Sequence, residues 1–253
     1  MEQVGDIIRK RGEPELLVVE AAKATRAFEI GKDCGLFNVP KVLNFDADAG
    51  VLDFEKIDDL ATLLDLAIRN DQRLFELLRK TGRALAVVHR QLTLPDEMKH
   101  ELSPEWLGSP DENVFIHGDY APINICFHEP SDSLVILDWS AAPLIGRAPT
   151  FGSRYFDILW FTDCIFCGVP LKRMFNWDAE GMAGAFLKGY MEEASADKLN
   201  KLQDYLLKIC QLQKKNILYL AGRQDSLLKA AAYVFSQLIM YPRLCTFLRS
   251  FKL

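Results

Sequence analysis

The hydrophobic pattern changes character along the chain. Up to about residue 57 the apolar positions come in short runs, at 4–9, 16–22, 39–43 and 50–55. Runs of this length bounded by turn-forming residues predict strands. Arg11-Gly12-Glu13-Pro14 between the first two predicts a hairpin. One helical stretch, 24–34, interrupts the series and is stopped by Gly35. From residue 60 the period lengthens: Leu74, Leu77, Leu78, Leu85, Val88 and Leu92 share one face of a helix predicted over 72–91. A polar loop over 94–112 leads to two short apolar runs, 113–117 and 134–137. From residue 155 the pattern is mostly helical, broken at Gly168-Val169-Pro170. The expected fold is α+β: residues 1–57 a small antiparallel sheet with one helix, residues 58–253 a large helical part with two short strands.

The 253 residues are 49% hydrophobic and 26% charged, which excludes a disordered or fibrous chain. A net charge of -5 gives a polyanion no general attraction, so no nucleic-acid partner is expected. The segment MEQVGDIIRK lacks a basic start followed by an apolar core, and the longest apolar stretch, 155–171, contains Asp157 and Asp163. No membrane association is expected, and a cytoplasmic location is. Six scattered cysteines suit reduced thiols, with Cys164 and Cys167 buried in a helix.

Polar residues gather on the loops around the two short strands. In Val114-Phe115-Ile116-His117-Gly118-Asp119 an apolar run leads into a carboxylate, Asn124 follows five positions later, and 134–137 runs into Asp138-Trp139. Transfer of a phosphoryl group from ATP needs a carboxylate to take the acceptor proton, then an amide oxygen and a second carboxylate to hold Mg²⁺. Asp119, Asn124 and Asp138 occur in that order and spacing. A single Asp-x4-Asn arises by chance as a turn or cap, so the conjunction carries the inference.

With His117-Gly118-Asp119, Asn124, Asp138-Trp139 and the later Arg154-Tyr155-Phe156-Asp157-Ile158-Leu159, the sequence resembles the aminoglycoside phosphotransferase and choline kinase-like small-molecule kinases. That resemblance implies a two-lobed protein-kinase-like fold with a reduced, mostly β N-terminal lobe. It also implies ATP and Mg²⁺ as cofactors, Asp119 as catalytic base, Asn124 and Asp138 on the metal, and Asp157 bracing the catalytic loop. His117 is expected to support that loop by hydrogen bonding, and Glu55, Lys56 and Ile57 to form the hinge against the nucleotide. Asp138 and Asp157 are only nineteen positions apart, which leaves little room for a peptide-presenting segment, so a small hydroxyl-bearing partner is expected. Oligomeric state is not specified.

The N-terminal part departs from the family pattern. Gly5 and Gly12 are the only glycines before the helix, and Glu20 stands where the strand lysine is expected. Lys23 is the nearby lysine and Glu29 the candidate helix glutamate. Nucleotide is then expected to depend chiefly on hinge and metal. Two alternatives remain at this point: a catalytically impaired kinase-like binding or regulatory module, and a metal-dependent phosphoesterase using His117, Asp119 and Asp138. Acceptor contacts are expected in the helical half, where Asp163, Tyr190, Glu192 and Glu193 are available.

Overall fold

The computed structural model describes residues 1–141, 149–169, 171–194, 201–224 and 226–251; Pro170 falls outside them. The chain opens with β1 (Glu2–Val4) and β2 (Ile7–Arg11), an antiparallel pair. Residues 16–22, expected as a strand, are instead the beginning of α1 (Pro14–Cys34). Val18-Val19 suggests β structure, but Pro14 sits within the first turn, where its missing N–H costs nothing. Buried positions then recur at three- and four-residue steps through Leu17, Ala21, Ala24 and Ala27. Gly35 ends the helix at φ 66, its N–H bonded to the Gly31 carbonyl.

Beyond a two-residue strand β3 (Phe37–Asn38), β4 (Val42–Asp46) and β5 (Val51–Glu55) complete a four-stranded antiparallel sheet of order β1-β2-β5-β4. The strand expected at 39–43 thus begins late, and Pro40, which has no N–H for a ladder, stays outside it. Leu17 and Ala21 of α1 pack on Leu52 of the sheet. Residue 57 lies in the link from β5 to β6 (Leu60–Thr62).

A second sheet, order β3-β9-β8-β6, contains β8 (Ile125–His128) and β9 (Ser133–Ile136). Strand β3 runs parallel to β9, so the segment leaving α1 is stitched to the strand that leads to Asp138. The remaining strands, β7 (Asn113–Phe115) and β10 (Phe151–Ser153), pair with each other. Helices α2 (Leu63–Arg69), α3 (Leu74–Gln91), α4 (Tyr155–Cys167), α5 (Ala179–Glu193), α6 (Leu206–Gly222) and α7 (Leu227–Ser250) form the rest. Helix α4 is buried nearly all round, as its almost unbroken apolar sequence requires. Helices α3 and α5 touch backbone to backbone: a Cβ at Gly189 would come within 1.9 Å of the Arg79 carbonyl oxygen, and one at Gly82 within 2.0 Å of that of Phe186. Among the described residues no helix is long and apolar enough to cross a membrane.

Candidate active site

Strand β7 delivers the chain into His117-Gly118-Asp119, and a tight turn then carries Asn124 to the start of β8. Gly118 adopts φ 88, open to glycine without strain. Asp157, fully buried at the start of α4, accepts the N–H groups of His117 (2.7 Å) and Gly118 (2.9 Å). His89 Nε2 lies 3.0 Å from Asp157 and its Nδ1 2.9 Å from the Tyr190 hydroxyl. Burial lowers the His89 pKa although Asp157 opposes the shift, so the neutral ring donates to Asp157 and accepts from Tyr190. Burial disfavours ionised Asp157 too, yet bonds from His89 and the Gly118 N–H hold its carboxyl below the ordinary range. His117 is itself buried, with burial and then the Lys23 charge lowering its pKa to about 4. Its neutral Nδ1 accepts the Asp119 N–H at 3.3 Å, a contact within the loop.

Asp119 is fixed from two sides. Trp160 Nε1 donates to Oδ1 at 2.9 Å, and the Asn124 amide nitrogen donates to Oδ2 at 3.2 Å. Burial raises the Asp119 pKa, Trp160 lowers it and the nearby Asp138 raises it; the net direction is upward. A carboxylate made more basic in this way is suited to accepting a proton. Asn124 also bonds the Asp119 carbonyl at 3.0 Å, so its nitrogen is committed and its oxygen remains for another partner.

Asp138 follows β9 with φ 52, a left-handed conformation that Asp tolerates better than most residues. Its Oδ1 accepts from Ser140 (2.6 Å) and from Lys10 Nζ (3.0 Å). Lys10 Nζ also reaches Glu20 at 2.8 Å. The strand lysine therefore exists, but on β2, and its helix partner is Glu20. Burial lowers the Lys10 pKa, but Glu20 and Asp138 more than offset this and leave it raised.

Because residues 16–22 are helical, the lysine lies one element earlier, on β2. Lys23 is 1% exposed and turns inward to the His117 carbonyl. Glu29 is exposed on α1, nine residues beyond Glu20, or about 13.5 Å along the axis. The structure thus brings His117, Asp119, Asn124, Asp138 and Asp157 together and separates Glu29 from them. Strand alternation offered a signal for Lys10, since Ile8 and Lys10 share a face. Trp160 and His89 lay in apolar helical patterns and read as core.

A cavity of about 420 Å³ lies between the two sheets, with Phe54, Glu55, Lys56 and Ile57 on one side and Asn124 and Asp138 on the other. A second, of about 520 Å³, is lined by Asp163, Cys164, Cys167 and Tyr233. Trp160, Cys164 and Cys167 recur at helical spacing on α4, so the face that reaches Asp119 continues into this second cavity. Of the other carboxylates expected there, Glu192 pairs with Arg79 and Glu193 with Arg90, while Tyr190 is buried against His89.

No protein-family model matches the chain, and no curated protein matches it in sequence. Its fold does match solved structures. One is a glucosamine kinase, 13% identical, TM-score 0.62, covering 95% of this chain and 75% of that one. Another is an amicoumacin kinase in complex with AMP-PNP, Ca²⁺ and Ami, 15% identical, TM-score 0.55, covering 94% and 80%. A choline/ethanolamine kinase family protein from Mesorhizobium loti is 15% identical at TM-score 0.50, covering 98% and 88%. The chain therefore has the α+β fold of the aminoglycoside phosphotransferase and choline kinase-like enzymes.

Proposed function

We propose that this protein is an ATP- and Mg²⁺-dependent kinase of a small hydroxyl-bearing molecule. The observation that carries the reading is the Lys10 ammonium, held between Glu20 and Asp138, two carboxylates that line the same cavity as Asn124. An ammonium placed there suits nucleotide phosphates. Glu55 and Lys56 already spend their N–H groups on the Lys41 and Asp6 carbonyls, which leaves the Ile57 N–H for an adenine edge.

The donor set fits a hard cation. Asn124 offers its amide oxygen and Asp138 its second carboxylate oxygen, and Mg²⁺ accepts two protein oxygens with phosphate and water completing its shell. The cation, when bound, neutralises charge on the phosphate oxygens. Asp119 accepts the proton of the acceptor hydroxyl as that oxygen bonds to the γ-phosphorus and the bond from that phosphorus to the β–γ bridging oxygen breaks, with ADP as leaving group; Trp160 and Asn124 keep the carboxylate aimed. His117, His89 and Asp157 hold the loop beneath it. The acceptor sits in the 520 Å³ cavity, reached along α4.

The reading of an impaired module rests on a missing lysine and on the lack of a glycine-rich loop; Lys10 removes the first support, and the second stands, with Gly5 and Gly12 the only glycines before α1. Among the described residues no cluster of three or more His, Cys, Asp or Glu side chains is placed to hold a metal, so the phosphoesterase reading lacks a ligand set. ADP release from Mg·ATP, measured across a panel of hydroxylated amines, sugars and alcohols, tests the proposal. Acceptor-dependent turnover supports it, and nucleotide binding without turnover on any acceptor favours the module.

A further inference from the structure

Lys23, expected near the nucleotide, is not in the lining of the 420 Å³ cavity and turns to the loop before Asp119 instead. It is on α1, 1% exposed, and its Nζ donates to the carbonyl oxygen of His117. The same loop is also held by Asp157, which takes the His117 and Gly118 N–H groups at 2.7 and 2.9 Å. Three backbone groups immediately before Asp119 are thus gripped by two buried, oppositely charged side chains, one from α1 and one from α4. Gly118, at φ 88, is the most pliable point of the segment, so its peptide orientation depends on such grips. Around the ammonium stand Asp157, Glu20, Asp138 and Asp119, with the neutral His117 ring beside it; burial draws the Lys23 pKa down to about 8 and the carboxylates oppose that.

Removing this ammonium alone would leave the His117 carbonyl without its donor and the surrounding carboxylates without a counter-charge. A purely structural role would show in folding and leave the turnover of the folded protein unchanged. Glu20 lies one turn earlier on the same helix, where it holds Lys10. One turn of α1 thus reaches both the ammonium facing Asp138 and the backbone that carries Asp119.

We propose that Lys23 is a positioning residue, which ties α1 to the catalytic-loop backbone and so fixes the direction in which Asp119 projects. The proposal rests on the reading of Asp119 as the base, and its test is chosen to separate the two. Lys23→Met keeps the length of the side chain and removes the donor. Misplacing a base by a fraction of an ångström to an ångström lowers kcat by roughly 10- to 100-fold, while KM for Mg·ATP stays within about twofold because no phosphate contact is lost. Melting temperature is expected to fall, because the carboxylates around the site lose their counter-charge, so kcat is compared well below the melting temperature of the variant. Lys23→Ala lacks Cγ, Cδ, Cε and Nζ, the atoms of propylamine, and added propylamine is expected to restore part of kcat.

Amide exchange at 117–119 in the full-length protein without substrate is expected to quicken in Lys23→Met. A kcat equal to that of the wild type, a loss confined to KM for Mg·ATP, or unchanged exchange overturns the proposal. If the wild-type protein transfers phosphate to no acceptor, the functional reading fails by itself, and the exchange rates still decide whether Lys23 holds the loop.

Discussion

Lys10 Nζ lies 2.8 Å from Glu20 and 3.0 Å from Asp138 Oδ1, so a single ammonium joins β2, α1 and the turn that follows β9. The contact to Asp138 spans 128 positions of sequence. It ties the N-terminal sheet and α1 to the turn that carries Asp138. Ser140 bonds the same Asp138 oxygen at 2.6 Å, which leaves the other oxygen for a cation.

Lys10→Met removes this ammonium. Hydrogen bonds to charged groups contribute about 1.5–3 kcal/mol, so affinity for Mg·ATP is expected to fall roughly 10- to 100-fold. Adenosine, which has no phosphate, is expected to bind as before. Calorimetric titration with both ligands checks this, and equal losses would assign Lys10 to fold stability alone.

Asp138→Ala separates metal from nucleotide. Binding of Mg·ATP is expected to weaken more than binding of metal-free ATP, and in the variant chelating Mg²⁺ is expected to change ATP affinity little. A variant that keeps the wild-type response to Mg²⁺ would show that the cation is held elsewhere.

Asp163 ties the fold to pH. The side-chain oxygen of Gln213 sits 2.7 Å from Asp163 Oδ2. Gln213 donates its nitrogen to Gln237 Oε1, and Gln237 donates to the Cys167 carbonyl, each at 2.8 Å. Turning Gln213 over would set its oxygen against that of Gln237, so the proton in the short contact belongs to Asp163. Burial accordingly pushes its carboxyl up to about 7. A folded-state pKa above the unfolded value of 3.8 means that stability is lost as pH rises from the unfolded pKa through the folded one. Asp163→Asn, which donates to Gln213 at every pH, is expected to raise the melting temperature at pH 8 and to give no advantage at or below pH 4. An equal gain at both values would contradict a neutral Asp163.

Much of this was legible in the sequence, for identifiable reasons. Asp119, Asn124 and Asp138 stand at strand ends whose apolar runs are short and whose polar residues cannot be core, and the structure assembles them. Residues 50–55 and 72–91 read correctly because their apolar pattern is unambiguous. The segment 16–22 did not, because Leu-Leu-Val-Val suits a buried strand as well as a buried helix turn, and the start signal at Pro14 was read as part of a hairpin turn. A strand over 16–22 would put Glu20 in the ladder, whereas Glu20 is on α1 and the lysine it meets is on β2. Trp160 and His89 were hidden for a different reason. Each buries an apolar ring on a helix face, and only tertiary packing shows that the ring nitrogen reaches Asp119 or Asp157. The close approach at Gly82 and Gly189 was likewise invisible, since a glycine inside a helix does not name its neighbour.

The most direct test of the account is Asp119→Asn, assayed for single-turnover phosphoryl transfer from Mg·ATP to an acceptor used by the wild-type protein, with nucleotide affinity measured alongside. The asparagine oxygen can keep the bond to Trp160, so folding and nucleotide affinity are expected to stay close to wild type. Loss of the base is expected to slow transfer by about 10²- to 10⁴-fold. Transfer at the wild-type rate, with nucleotide affinity intact, would contradict the assignment of Asp119 as the group that accepts the acceptor proton.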